Sequence, residues 1–303
     1  KVRWNRFCCL TYSPEMDFYA AFYYIPPMQC WMLLGGKNPL EANSWKRLCD
    51  LPKQESPYLF FDQRPRWFGC YLCFGDRQSA TILTMNPQGV ERVQRFPLPK
   101  AQHPCGFACD GLGRILLAHG EETYCFENGT LSPLGFRISS GDGFNGAIPV
   151  PGTGRLVMCG FTDRELDARL LELDVETRRC RATRMQNVDP WSVLLPFGED
   201  WVLVKGSCDS MRLDFARLWN RTTGEVLRIR PGMFGSERLE HIGRLNDGRV
   251  VLTTLRSHVG QVVHFSTDFW SFLRTASRPK TLEPMQPYET LYPDIPLTLP
   301  ERS

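Results

Sequence analysis

The sequence lacks most of what would announce an enzyme or a membrane protein. No apolar run approaches the roughly eighteen residues that a membrane-spanning helix needs. No Gly-x-Ser-x-Gly elbow, phosphate-binding glycine loop or His-Glu-x-x-His helix occurs, which removes the commonest nucleophile, nucleotide and zinc-protease signatures. An excess of one charge is missing too: 36 Lys+Arg against 33 Asp+Glu leave a net +3 on 303 residues. A protein that covers nucleic-acid backbone needs a large positive surplus, so only a local basic patch remains for that role. Histidine is scarce, with five residues at 103, 119, 241, 258 and 264 in no catalytic spacing.

Cysteine, by contrast, is plentiful at twelve residues, yet it does not read as a disulfide framework. A chain this long needs no staples, and Cys30, Cys70, Cys73 and Cys159 sit inside apolar, strand-like runs. Free cysteine there behaves as a small hydrophobe, which predicts a reducing, intracellular compartment. Two glycosylation sequons, Asn128-Gly-Thr130 and Asn220-Arg-Thr222, point the other way. Both fall where a turn is expected, and a turn accounts for asparagine without any sugar.

What the chain does have is a repeated phrase. A run of apolar residues ending in glycine recurs about every forty-odd positions: Trp31 to Gly35, Tyr71 to Gly75, Ile115 to Gly120, Leu156 to Gly160 and Trp201 to Gly206. A sixth copy, Val250 to Thr254, lacks the glycine. Self-similarity at that period marks a repeat architecture.

The unit from Trp191 to Pro231 is the clearest. Trp191–Pro196, Trp201–Lys205, Ala216–Trp219 and Glu225–Ile229 read as four short strands separated by turns that carry Gly, Asn and Asp. Similar units run over Phe144–Met185, His241–Thr275, His103–Ile138 and Tyr58–Pro99, with a weaker first copy over Phe18–Pro52. Four antiparallel strands per unit predict an all-β β-propeller of about six blades over residues 1–275. An ordinary β-sandwich would not space the phrase so regularly. A seventh blade would have to be assembled from residues before Phe18 and after Arg274. The run Arg6 to Thr11 is expected to complete the last blade and close the ring, which removes exposed sheet edges.

Two family resemblances follow from these units. Trp219-Asn-Arg-Thr-Thr-Gly-Glu-Val-Leu227, preceded by Gly206-Ser-Cys-Asp209, resembles a WD40 blade with asparagine in the aspartate position, and Leu173-Asp-Val-Glu-Thr177 is a weaker echo. Gly35-Gly36 with Trp45 and Leu51-Pro52 resembles a kelch repeat. Each covers one blade. Both families mostly serve as interaction platforms, so the resemblance implies a binding role.

The chemistry-bearing residues are each matched by a structural explanation. Cys70-x-x-Cys73 and Cys105-x-x-x-Cys109 have near-ligand spacing, but positions three apart in a strand face opposite sides, so no metal or other cofactor is expected. His119 precedes a glycine at a strand end and is read as a structural hydrogen-bonder. Asp76, Glu121 and Asp209 follow the repeated strands, where acidic residues suit turns. Arg178 to Arg184 is the most basic stretch. Glu172, Asp174 and Glu176 are expected across the hairpin from it, on an outer solvated edge. No catalytic set emerges.

Residues 276–303 carry six prolines and break the repeat. Proline-rich chain is expected to lie extended rather than to pack in a sheet. Its apolar residues Tyr288, Leu291, Tyr292, Ile295, Leu297 and Leu299 are candidate contacts with the chain's own propeller or a protein partner. The functional expectation is a non-enzymatic scaffold, a subunit of a multi-subunit assembly. A propeller glycosidase or hydrolase with an axial site is the alternative, and RNA binding a second one that is not favoured.

Overall fold

The computed structural model describes residues 7–13, 15–25, 28, 30–38, 41–51, 65–102, 105–138, 146–162, 165–184, 193–197, 200–205, 217–229, 237–244, 250–256, 260–266, 282–284 and 289–296. The regular structure there is almost entirely β-strand, in six sheets whose first three or four strands follow one another in chain order. The first sheet holds β1 (Phe7–Ser13), β2 (Phe18–Ile25), β3 (Cys30–Gly36) and β4 (Lys46–Asp50). The second holds β5 (Arg66–Phe68), β6 (Tyr71–Gly75), β7 (Ser79–Asn86) and β8 (Gly89–Pro97). The third holds β9 (Gly106–Cys109), β10 (Ile115–His119), β11 (Glu122–Glu127) and β12 (Thr130–Pro133).

The fourth sheet is β13 (Ile148–Val150), β14 (Arg155–Thr162), β15 (Glu165–Asp174) and β16 (Arg179–Arg184). The fifth is β17 (Val193–Phe197), β18 (Trp201–Lys205), β19 (Arg217–Asn220) and β20 (Val226–Ile229). The sixth is β21 (Glu237–Arg244), β22 (Val250–Arg256) and β23 (Gly260–Ser266). The expected strand Trp270–Leu273 lies outside the described residues. Meanders of this kind, repeated along one chain, are the blades of a divergent β-propeller.

The chain divides into two compact units. One comprises Lys1–Phe74, Ala80–Arg95 and Phe234–Ala276; the other comprises Gly75–Ser79, Phe96–Met233 and Ser277–Ser303. The second unit shows why the repeated phrase is apolar throughout. Along β14, Leu156 and Met158 join a core cluster with Leu116 and Phe136 of the third repeat, whereas Val157 and Cys159 join Val202 and Val204 of the fifth. Side chains alternate faces along a strand, so a sheet packed on both sides needs apolar residues at every position. Each buried side chain of this size contributes roughly 1.5–3 kcal/mol. In the first unit the same logic places Phe22, Leu33, Leu72 and Leu83 in one cluster between the first two sheets.

Two turns interlock the third and fourth sheets. In the turn after β9, the Gly111 N–H donates to the Arg155 carbonyl at 3.1 Å, and the Gly152 N–H donates back to the Gly111 carbonyl at 3.0 Å. Asp110 organises this turn from below, its buried carboxylate accepting from the Leu112 and Arg114 N–H groups at 3.0 and 2.9 Å.

Several expectations need correction. The run from Arg6 does not complete the last blade; from Phe7 it forms β1, antiparallel to β2 from Phe7↔Tyr23 to Ser13↔Phe18. The hairpin closes through Glu15–Asp17, where Asp17 takes φ +46 and accepts the Tyr12 hydroxyl, while the Tyr12 and Tyr19 rings lie 4.6 Å apart. The first repeat is therefore complete and begins a strand earlier than its phrase implies. As a result, the phrase at Trp31 occupies the third strand of its sheet, whereas all other copies occupy the second. Cys70 stands in the turn before β6 rather than inside a strand.

The final segment also departs from expectation, because it does enter sheets. β24 (Leu282–Pro284) pairs antiparallel with β20, and β25 (Glu289–Pro296) pairs antiparallel with β16. Both lie at sheet edges, the one location where a residue without an N–H loses no ladder bond on its open side. It follows that β16, with its arginines, is not a solvated outer edge.

Candidate functional site

The groups singled out for chemistry are largely committed to turns and packing. Asp76 accepts the N–H groups of Gln78 and Ser79 at 2.8 and 2.7 Å, closing the β6–β7 turn. Glu121 pairs with Arg137 at 2.5 Å in the two-residue turn between β10 and β11, which Gly120 enters at φ +58. Asp209 lies outside the described residues. The His119 ring Nε2 sits 2.6 Å from the Pro99 carbonyl, and the side chain is buried at the end of β10. Asp174 accepts from the Glu176 and Thr177 N–H groups at 3.0 and 2.9 Å. Among the described residues, Asp76, Glu121 and Asp174 are each engaged with a backbone turn or an arginine rather than with one another.

The sequons have the same explanation. Asn128, at φ +50, is followed by Gly129 at φ +79 in the β11–β12 turn. Asn220 is buried and accepts the Thr222 and Thr223 N–H groups at 3.0 and 2.9 Å.

The thiols are shielded as well. Burial pushes Cys180 up to about 12, helped by the Glu172 charge. Burial also raises Cys109 to about 11, with Asp110 adding to the effect. Cys49 reaches about 11 through burial, which the nearby Arg95 and Arg47 charges only partly oppose. Cys105 is raised further, first by burial and then by the Asp76 carboxylate, and its Sγ lies 3.6 Å from the Ser79 carbonyl. Protonated thiols are poor nucleophiles and poor ligands. Among the described residues, no group of three or more His, Cys, Asp and Glu is placed to hold a metal ion.

These shifts predict an alkaline weakness. The unfolded thiols ionise near 9.0 while the folded ones stay neutral to about 11 or 12, so their contribution is intact below pH 9 and is lost as pH rises from there. The urea midpoint should fall between pH 9 and 11. A Cys180→Ala chain should show a shallower fall, whatever its absolute stability.

A cavity of about 520 Å³ opens beside the β3–β4 connection and the β7–β8 turn. Phe18, Leu48 and Val90 supply apolar wall, while Lys37, Lys46 and Arg47 stand at its lining with no carboxylate among the lining residues. Arg47 pairs with Asp50; Lys37 and Lys46 form no ion pair among the described residues. Such a lining suits an anionic group. Among the described lining residues there is no pair of carboxylates of the kind glycoside hydrolysis uses.

The basic stretch is set by register rather than by solvent. Across the β15–β16 hairpin, Glu172 faces Arg181 and Asp174 faces Arg179. The Glu172 carboxylate nevertheless pairs with Arg155 of β14, at 2.7 Å, and Glu176 reaches Arg114 at 3.8 Å. On its other side β16 is covered by β25. Of the six tail residues named as candidate contacts, Leu291, Tyr292 and Ile295 lie within β25, and Tyr292 and Ile295 stand opposite Ala182 and Cys180. Tyr288, Leu297 and Leu299 lie outside the described residues. The tail's pairing was hidden in the sequence by its prolines, which interrupt any strand pattern between Glu289 and Ile295.

No family model and no curated protein matches this chain. Solved structures of similar arrangement are propellers. The β-propeller domain of the Trilobed protease from Pyrococcus furiosus aligns at 11% identity and TM-score 0.46, over 86% of this chain and 78% of that one. The Myceliophteria thermophila Cps50 (Swd1) β-propeller domain aligns at 11% identity and TM-score 0.48, over 88% and 98%. Kluyvelomyces marxianus Hsv2 aligns at 12% identity and TM-score 0.41, over 86% and 76%.

Proposed function

We propose that this propeller is a non-enzymatic interaction scaffold, a subunit of a larger assembly in a reducing compartment. The observation that carries the reading is strand addition: two blades extend their sheets at the outer strands β16 and β20 with extended, proline-bearing chain. An edge that accepts backbone hydrogen bonds is a recognised mode of protein–protein binding. Asp76, Asp110, Asp174 and His119 are engaged in turns and packing, and the sheet edges and the basic cavity are surfaces suited to recognition.

Affinity purification of the tagged protein from its native cells, followed by mass spectrometry and light scattering, tests this. The expected result is a stable complex with one or more protein partners. A lone monomer that hydrolyses glycoside or peptide substrates would overturn the scaffold reading.

A further inference from the structure

The outer edge of β16 is basic, and the strand that covers it fits imperfectly. β25 pairs through Arg184↔Glu289, Thr183↔Thr290, Ala182↔Tyr292, Cys180↔Ile295 and Arg179↔Pro296. The register slips twice, between Cys180 and Ala182 and between Ala182 and Thr183. Pro293 and Asp294 fall in the slipped stretch, which on β16 holds Arg181. Pro293 and Pro296 have no N–H, so this strand cannot form the full ladder that an unbroken one would. Its acidic residues are nonetheless placed by register at the arginines: Glu289 opposite Arg184, and Asp294 in the stretch facing Arg181.

From this we propose that the β16 edge is a strand-acceptor site for an acidic, extended segment of a protein partner, and that residues 289–296 occupy it in cis until displaced. The proposal rests on the scaffold reading and names its partner chemistry. Two opposing considerations decide whether exchange occurs. The tail is tethered, so its effective concentration reaches the millimolar range and blocks weak competitors. The partner segment offers an N–H at the two positions where the tail has proline and places carboxylates at the same register positions, where a cross-strand charge pair contributes at a sheet edge. Only a segment with carboxylates in phase with Arg181 and Arg184, and without proline between them, satisfies both conditions.

The test uses the full chain carrying Leu291→Pro and Tyr292→Pro, which with Pro293 gives three prolines in a row. Neighbouring residues point their N–H groups to opposite sides of a strand, so one substitution must remove a donor facing β16. The probe is a labelled peptide with the sequence of residues 289–296 bearing Pro293→Val and Pro296→Val. The variant should bind it about tenfold or more tightly than the unaltered chain does, because the tethered competitor is gone. Adding Glu289→Gln and Asp294→Asn to the peptide should weaken binding roughly fivefold at low salt. Equal binding by the two chains, or dimers formed by exchanged tails, would refute the proposal.

Hydrogen exchange on the unaltered chain gives a second readout that does not depend on the variant folding. Excess peptide should raise exchange in residues 289–296 while residues 179–184 stay protected. Unchanged exchange in the tail at saturating peptide would sink the idea as well. Partners recovered equally with the unaltered and proline-substituted chains would defeat this inference and leave the scaffold reading intact.

Discussion

Replacing Gly111 with alanine is expected to destabilise the protein by about 3–5 kcal/mol. A Cβ built at Gly111 would lie 1.7 Å from the Val150 carbonyl oxygen and 2.6 Å from that of Thr153. Both obstacles are backbone atoms of the neighbouring turn, so no rotamer change relieves the overlap. To admit the methyl group, the two turns must separate, and the bonds Gly111 N–H to Arg155 and Gly152 N–H to Gly111 go with them. A control isolates the steric cause. Gly69 takes φ +57 with nothing within 4 Å of a Cβ, so Gly69→Ala carries only the left-handed backbone cost, about 1–2 kcal/mol. Urea unfolding of both variants measures the contrast. Equal losses would show that the turns are not locked together.

Asp110→Ala is expected to cost a similar amount, about 3–5 kcal/mol, through a different mechanism. The Asp110 side chain is 0% exposed and holds the Arg114 Nε at 2.7 Å, in addition to two backbone N–H groups. Alanine removes the acceptor for all three and leaves a partly buried guanidinium with only the distant Glu176. Asp110→Asn retains an acceptor for the turn and loses the charge, so a smaller cost of about 1–2 kcal/mol is expected. Because the Asp110 carboxylate is out of water, added salt should change the cost of Asp110→Ala little. The double variant with Gly111→Ala should lose less than the two single losses added together, since each opens the same turn. Strict additivity would separate the two roles.

Much of this was legible in the residues. The strands β13 to β20 fall close to where hairpin signals and apolar runs place them, because both faces of a central blade strand are buried and the pattern has no competing interpretation. Asp110-Gly-Leu-Gly113 is recognisable as a turn. That its glycine lies against a second turn is not recognisable, since Val150 is remote in sequence. The first repeat was misphased for a related reason: Phe18 to Ile25 is as apolar as Trp31 to Gly35, and only the β1–β2 pairing shows which is the second strand. That Cys49, Cys105, Cys109 and Cys180 stay protonated follows from burial, and Cys73 and Cys159 are buried as their apolar context implied.

The tail marks the boundary between the two kinds of information. Periodicity and turn chemistry, both local properties of the chain, determined by themselves that this is an all-β repeat protein, where its hairpins turn, and that no linear catalytic signature is present. Only tertiary structure decided what the edges do. An edge strand is half solvated, so proline is tolerated there and the hydrophobic pattern is diluted; its partner is chosen by backbone bonds that every residue except proline offers alike. Pairing of residues 289–296 with β16 therefore leaves almost no trace in composition, and it appears only once β16 has been folded into place.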